Sequence, residues 1–393
     1  MRVERGKYLE VTGPAALRVV KGRASLMGKE LSDNDVVIVP QWRTYALKAE
    51  EDVEVDISTT LNTNIKISDD NVMNKWLEGL KRVVGLERVV VLGPTDSGKS
   101  SVAATLVNLN LNEGYEVRVI DSDVGQNSIC FPTMVCSARA NNYVFMLSEL
   151  KPEKQKFTGT ITPAIEKSRI ISSVASLVEG RVVVDTDGWV EGYEAGCYKH
   201  ELLRAVSPDA VVYMGRAPWW ARGPWELVEL PPSTGKERSR GDRRSIRKNK
   251  YKKALGECKT KDINLEEVPA LFSVIFNSKW GDDALKRSVE EVIGAKTLLV
   301  VPLGNKVLAI VKKGSKYKKV PNVEVLEEGE ERGVLVALGD EEGNEHLGEI
   351  IKLNYLKKEA KVKTCFEGEP KYVIFGKVKL DEDYNDKIFK KHI

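Results

Sequence analysis

Apolar residues recur at two different periods along the chain, and the switches between them divide it into three parts. Up to about residue 70 the apolar runs at 35–39, 53–57 and 64–67 are short, β-type and broken by Gly, Pro, Asn and Asp. Such runs predict a small β-sandwich-like domain over 1–72. Residues 73–84 then place Met73, Trp76, Leu77, Leu80, Val83 and Val84 at helical spacing, with Gly85 suited to stop the helix. From there strand and helix patterns alternate: strands at 88–92, 117–120, 181–184 and 210–214, helices at 99–111 and 164–178. This alternation predicts an α/β domain over 73–294, a mostly parallel sheet with helices on both faces. Short strands with Gly-rich and charged turns return after about 295 and predict a β-rich C-terminal domain over 295–393.

At 393 residues the chain is too long for one hydrophobic core, in keeping with this division. Apolar residues make up 42% and charged residues 30%, the composition of an ordinary globular protein. No run approaches the roughly 20 apolar residues that span a bilayer, and the first residues lack a secretory apolar stretch, so a cytoplasmic protein is expected. Five cysteines without a CxxC pair are too sparse for a disulfide framework and point to a reducing compartment. Three histidines, none near a cysteine pair, argue against structural zinc. The net charge is only +3, but the segment 236–253 alone carries ten Lys or Arg against two acids, which leaves the rest of the chain net negative.

The chemistry starts at 93–100. Gly93, Pro94, Thr95, Asp96, Ser97, Gly98, Lys99 and Ser100 satisfy GxxxxGK(S/T), directly after a predicted strand and before a predicted helix that continues with Ser101. Successive backbone N–H groups there wrap phosphate oxygens, and the helix N-terminus adds partial positive charge. Lys99 is positioned for the β and γ phosphates, and Ser100 for a Mg²⁺ ion that bridges them. Nucleotide binding follows. At the end of the next strand, Asp121-Ser122-Asp123-Val124-Gly125-Gln126 puts two carboxylates and an amide at the binding edge of a parallel sheet. Asp121 is the candidate metal ligand, Asp123 the candidate general base, and Gln126 can orient an oxygen. No NKxD-like element follows a later strand, which weakens a GTPase reading.

The DxDxGQ arrangement resembles the family of polynucleotide 5′-hydroxyl kinases, which includes the RNA kinase of tRNA splicing and mRNA 3′-end processing and the kinase of pre-ribosomal RNA processing. Three further segments are similar to that family in order. Residues 157–163, FTGTITP, look like its clasp, which implies that Thr158, Gly159, Thr160 and Thr162 hold nucleic-acid phosphates; Thr162 stands where serine is usual. Residues 185–190, DTDGWV, resemble its NTxGW element, with Asp185 where asparagine is typical; Trp189 is then the platform on which a terminal base stacks. Such stacking is worth on the order of 1–3 kcal/mol and tolerates any base. The basic run resembles the family's lid in Arg238-Ser239, Arg243-Arg244 and Tyr251, and the resemblance implies that Arg238 and Arg243 stabilise charge on the transferring phosphoryl group.

The resemblance implies transfer of the ATP γ-phosphoryl group to a 5′-hydroxyl end of RNA and/or DNA, with Mg²⁺ and with Lys99, Asp123, Arg238 and Arg243 as the catalytic set. Two other readings stay open: a non-catalytic module that binds ATP in RNA-processing assemblies, and another P-loop NTPase or small-molecule kinase.

Overall fold

The computed structural model describes residues 1–41, 43–60, 63–233 and 238–393. The expected architecture is present: a central α/β layer with a β-rich domain on each side. Residues 2–68 form a four-stranded and a five-stranded antiparallel sheet. Strand Val36–Val39 shows why they face each other: Val37 and Val39 are buried while Val36 and Ile38 are exposed, the period of two of a strand with one covered face. The helix that follows, Val72–Leu80, is capped by Asn71, whose Oδ1 accepts the Met73 amide at 3.0 Å. It ends four residues before the predicted stop, in a turn that Gly85 closes at φ +81°.

The central sheet has seven strands in the order Lys154–Phe157, Met134–Ala140, Val117–Asp121, Val182–Asp185, Arg88–Leu92, Ala210–Met214 and Glu226–Leu230. The last five run parallel, while Met134–Ala140 returns antiparallel to Val117–Asp121 and Lys154–Phe157 pairs antiparallel with it at the edge. Arg88–Leu92 explains its own placement. Val89 and Val91 pack on the side of helix Lys99–Asn112, whereas Val90 and Leu92 join the core with helices Lys167–Leu177 and Tyr193–Val206. An unbroken apolar run is stable there because both faces are covered. In register, Val91 pairs with Asp185 and Asp185 with Asp121, so the loops after these strands leave the sheet at one edge.

The C-terminal domain begins earlier than the sequence suggested. Strands Lys259–Asn264 and Ala270–Leu271 belong to a seven-stranded sheet with Glu359–Thr364, Glu345–Asn354, Val334–Gly339, Tyr372–Leu380 and Asp386–Ile388. Helix Asp283–Ile293 packs Val289 and Ile293 against Val300, Ala309 and Val311 of a second, three-stranded sheet. The core contacts of this helix therefore lie on the C-terminal side of the expected boundary. The cysteines also depart from expectation, since Cys130 pairs with Cys136 and Cys258 with Cys365 in disulfides, leaving Cys197 as a thiol. The second pair is 107 residues apart in sequence, and only the folded chain brings it together. Among the described residues, no helix is long and apolar enough to cross a membrane.

Candidate functional site

The loop 93–98 leaves strand Arg88–Leu92 and turns into helix Lys99–Asn112 through Asp96 at φ +58° and Gly98 at φ +100°. Lys99 is buried, and its ammonium donates to the Pro94 carbonyl at 2.7 Å. Burial pushes the pKa of this ammonium down, against the pull of the Asp185 and Asp123 carboxylates. Ser97 Oγ donates to the same carbonyl at 2.8 Å. Ser100 Oγ donates to Asp185 Oδ2 at 2.6 Å, and the buried Asp185 Oδ1 has no hydrogen-bond partner. A serine hydroxyl beside a carboxylate oxygen without a partner is a donor set that fits Mg²⁺.

Asp121, the metal ligand expected from the sequence, is engaged differently. Its Oδ1 accepts the Asp123 amide at 3.0 Å, and its Oδ2 accepts the amides of Ser128 at 2.5 Å and Ile129 at 3.4 Å. These bonds hold the loop, and the carboxylate against Ser100 comes from Asp185 on the neighbouring strand. Burial raises the pKa of both carboxyls above the ordinary range, helped at Asp121 by repulsion from Asp185 and Asp123, and at Asp185 opposed by Lys99 and Ser100 and helped by Asp123. Asp123 uses Oδ1 to accept the amides of Gly125 and Gln126, at 3.0 and 2.9 Å. Gln126 Nε2 donates to Gly125 O and reaches Arg243 O, while its buried Oε1 is unpaired.

The clasp turns its hydroxyls inward. Thr158 Oγ1 donates to Thr133 O at 2.8 Å and Thr160 Oγ1 to Thr162 O at 2.9 Å, so both serve the turn itself. The Gly159 backbone is engaged as well, its amide donating to Thr133 O at 3.3 Å and its carbonyl accepting the Lys377 amide at 2.7 Å. A Cβ on Gly125 would stand 2.9 Å from Ile161 O, so the clasp and the DxDxGQ loop touch and glycine is required there. Gly188 of the DTDGW turn is tighter still, since a Cβ would come within 2.4–2.6 Å of Thr95 in the phosphate-binding loop. Trp189 beside it is partly buried, and its ring lies 5.9 Å from that of Tyr198 at 25°.

The basic segment forms helix Arg240–Leu255, capped by Ser239 in a capping box with Asp242. Lys236 and Glu237 lie outside the described residues. Both predicted arginines converge on Asp96: Arg238 through its amide at 2.9 Å and its guanidinium at 2.9 and 3.1 Å, and Arg243 through Nη2 at 2.7 Å. Burial raises the Asp96 pKa, but these donors outweigh it and hold the carboxyl below its usual range. Farther along the helix, Arg247 pairs with buried Asp386, Lys250 donates to Asn127 O, and Tyr251 is buried. The segment expected to move as a lid is therefore a helix whose far half is embedded.

The P-loop, DxDxGQ loop, clasp, DTDGW turn and lid thus meet at one sheet edge. Sequence reasoning passed over three contributors. Asp185 was noted only as a departure from asparagine, although a carboxylate ending a strand of this sheet is the available signal. Lys199, fully buried, donates to Asp187 Oδ2 at 2.8 Å and had no signal beyond its place in an amphipathic helix. Arg43, from the N-terminal domain, lies close enough for repulsion by Arg238 and attraction by Asp185 and Asp96, while burial lowers its pKa; an isolated arginine in a β segment gives no signal.

A family model described as the mRNA cleavage and polyadenylation factor CLP1 P-loop matches residues 93–255. A polyribonucleotide 5′-hydroxyl-kinase of Pyrococcus abyssi is 26% identical over 313 residues, which covers 75% of this chain and 88% of that one. A protein of the same name from Pyrococcus furiosus is 29% identical over 211 residues, or 50% of this chain and 59% of its own. CLP1 homolog 5 of Arabidopsis thaliana is 25% identical over 245 residues, 53% of this chain and 56% of that one. The solved structure of the Clp1p–Pcf11p complex superposes with a TM-score of 0.60 at 14% identity, covering 96% of this chain and 97% of that one, a likeness of fold.

Proposed function

We propose that this chain is a member of the polynucleotide 5′-hydroxyl-kinase family and transfers the γ-phosphoryl group of ATP to the 5′-hydroxyl of an RNA end. The observation that carries this reading is the junction at Gly188 and Thr95, where the loop bearing the base platform packs on the loop that cradles phosphate. Donor and acceptor sites built against each other suit in-line transfer, in which positioning supplies much of the rate.

Lys99 would exchange the Pro94 carbonyl for phosphate oxygens. Ser100 and Asp185 would hold Mg²⁺, which when bound offsets charge on the phosphates. Asp123 accepts the proton of the 5′-hydroxyl as its oxygen bonds to the γ phosphorus and the bond to the ADP oxygen breaks. Arg238 and Arg243 would turn from Asp96 to the equatorial oxygens, where charge spreads in the transition state. The backbone around Gly159, with Thr162 and Gln126, lines the acceptor path, and Trp189 stacks the terminal base.

The test uses ATP labelled at the γ position with matched 5′-hydroxyl RNA and DNA oligonucleotides. Label should appear on the RNA 5′ end with the wild type, vanish with Lys99→Ala, and slow on the order of a thousandfold with Arg243→Ala. ATP bound by the wild type with no label on either strand would leave an ATP-binding assembly module and sink the kinase reading.

A further inference from the structure

Helix Tyr193–Val206 buries a whole lysine side chain: Lys199 is fully inaccessible, and its Nζ donates to Asp187 Oδ2 at 2.8 Å and Asp187 O at 3.0 Å. Tyr198 Oη donates to the same Oδ2 at 3.0 Å, and Asp187 Oδ1 accepts the Trp189 amide at 2.9 Å. One carboxylate is therefore held from one side by two side chains of a rigid helix, and from the other holds the backbone of the tryptophan. The Tyr198 ring also lies against the indole at 25°, so the helix fixes both the backbone and the ring plane of Trp189. Burying an ion pair is costly, and replacement by apolar groups is often neutral or stabilising. Stability alone therefore gives little reason for Lys199 here. The pair also sits close enough to Lys99 for both charges to act on its ammonium, which places it at the joint between platform and phosphate loop.

We infer that Asp187, Tyr198 and Lys199 are positioning residues for the acceptor end: they set the Trp189 ring so that a stacked 5′-terminal base carries its hydroxyl to the γ phosphate. This rests on the kinase reading and on Trp189 as the base platform. A base that stacks on a tilting ring still binds, but its hydroxyl swings away from the line of attack, and tenths of an ångström count there.

The experiment compares two RNA oligonucleotides, one with a normal 5′-terminal nucleotide and one whose 5′-terminal nucleotide lacks its base, on the wild type and on Trp189→Ala, Lys199→Met and Tyr198→Phe. The wild type should prefer the base-bearing end, and Trp189→Ala should lose that preference. Lys199→Met should lower kcat/KM about tenfold on the base-bearing end and by less than about twofold on the abasic end, with KM for ATP unchanged. Tyr198→Phe, which keeps the ring and deletes one hydrogen bond, should show the same pattern more weakly, and it carries the test if Lys199→Met does not fold. Equal losses on both ends, or a parallel rise in KM for ATP, would mean a purely structural pair and overturn the inference. Full preference in Lys199→Met and Tyr198→Phe, with loss in Trp189→Ala, would overturn it while leaving the platform intact. A wild type indifferent to the terminal base would overturn both.

Discussion

At the Ser100 hydroxyl, Asp185 supplies a full negative charge where the resembling family usually carries asparagine. A charged ligand binds a divalent ion more tightly than an amide oxygen of the same shape, yet either can complete the coordination. Asp185→Asn is therefore expected to raise the Mg²⁺ concentration for half-maximal activity about tenfold, close to 1.4 kcal/mol, with little change in kcat at saturating metal. A metal titration of the kinase rate measures this, and an unchanged midpoint would remove Asp185 from the metal site. Asp96 acts in the other direction, since it occupies the guanidinium donors of Arg238 and Arg243 that the proposed mechanism gives to the γ phosphate. Asp96→Asn weakens that hold and removes a negative charge beside the phosphates. KM for ATP should fall about fivefold, roughly 1 kcal/mol. A rise instead would mean that Asp96 still holds the arginines when ATP is bound.

Among the elements, those that act alone were legible and those that act in pairs were not. Strand Arg88–Leu92, the loop at 93–98 and helix Lys99–Asn112 could be read because a doubly buried strand needs an unbroken apolar run and a phosphate loop needs glycines at set places. The carboxylate beside Ser100 could not be foreseen, because spatial strand order is not written locally. Strand Val182–Asp185 inserts between Arg88–Leu92 and Val117–Asp121, so the acid next to Ser100 comes from a strand some sixty residues later than expected. The clasp illustrates a related limit: the sequence gives the hydroxyls of Thr158 and Thr160 but not the carbonyls of Thr133 and Thr162 that take them up. The basic segment read as a lid through its resemblance to the family's pattern, which carries no packing information, whereas Tyr251 and the Arg247–Asp386 pair embed its far half.

Over the whole molecule, the C-terminal domain grips the working parts of the central one. Lys377 N donates to Gly159 O at 2.7 Å, Glu345 accepts the Phe157 amide, and Arg169 spans the Thr158 and Phe375 carbonyls, so the clasp is braced from that domain. The Cys258–Cys365 disulfide ties the chain just beyond helix Arg240–Leu255 to the same domain. A cross-link closing a loop of this length stabilises by about 5 kcal/mol in the chain-entropy account. Cys258→Ser should therefore unfold at a clearly lower temperature than the wild type without reductant, and the two should coincide when reductant is present. Thermal unfolding by circular dichroism reads both conditions.

The close contact of Gly188 with Thr95 has one more consequence. Two ligands whose sites share a packed contact can be coupled, because any change that ATP makes in the posture of Thr95 bears on the turn that carries Trp189. The resulting cooperativity is reciprocal: if bound nucleotide sharpens affinity for the RNA end by some factor, the RNA end sharpens affinity for nucleotide by the same factor. Coupling of that sign would favour filling both sites together, and ATP affinity measured with and without a 5′-hydroxyl RNA end reads it.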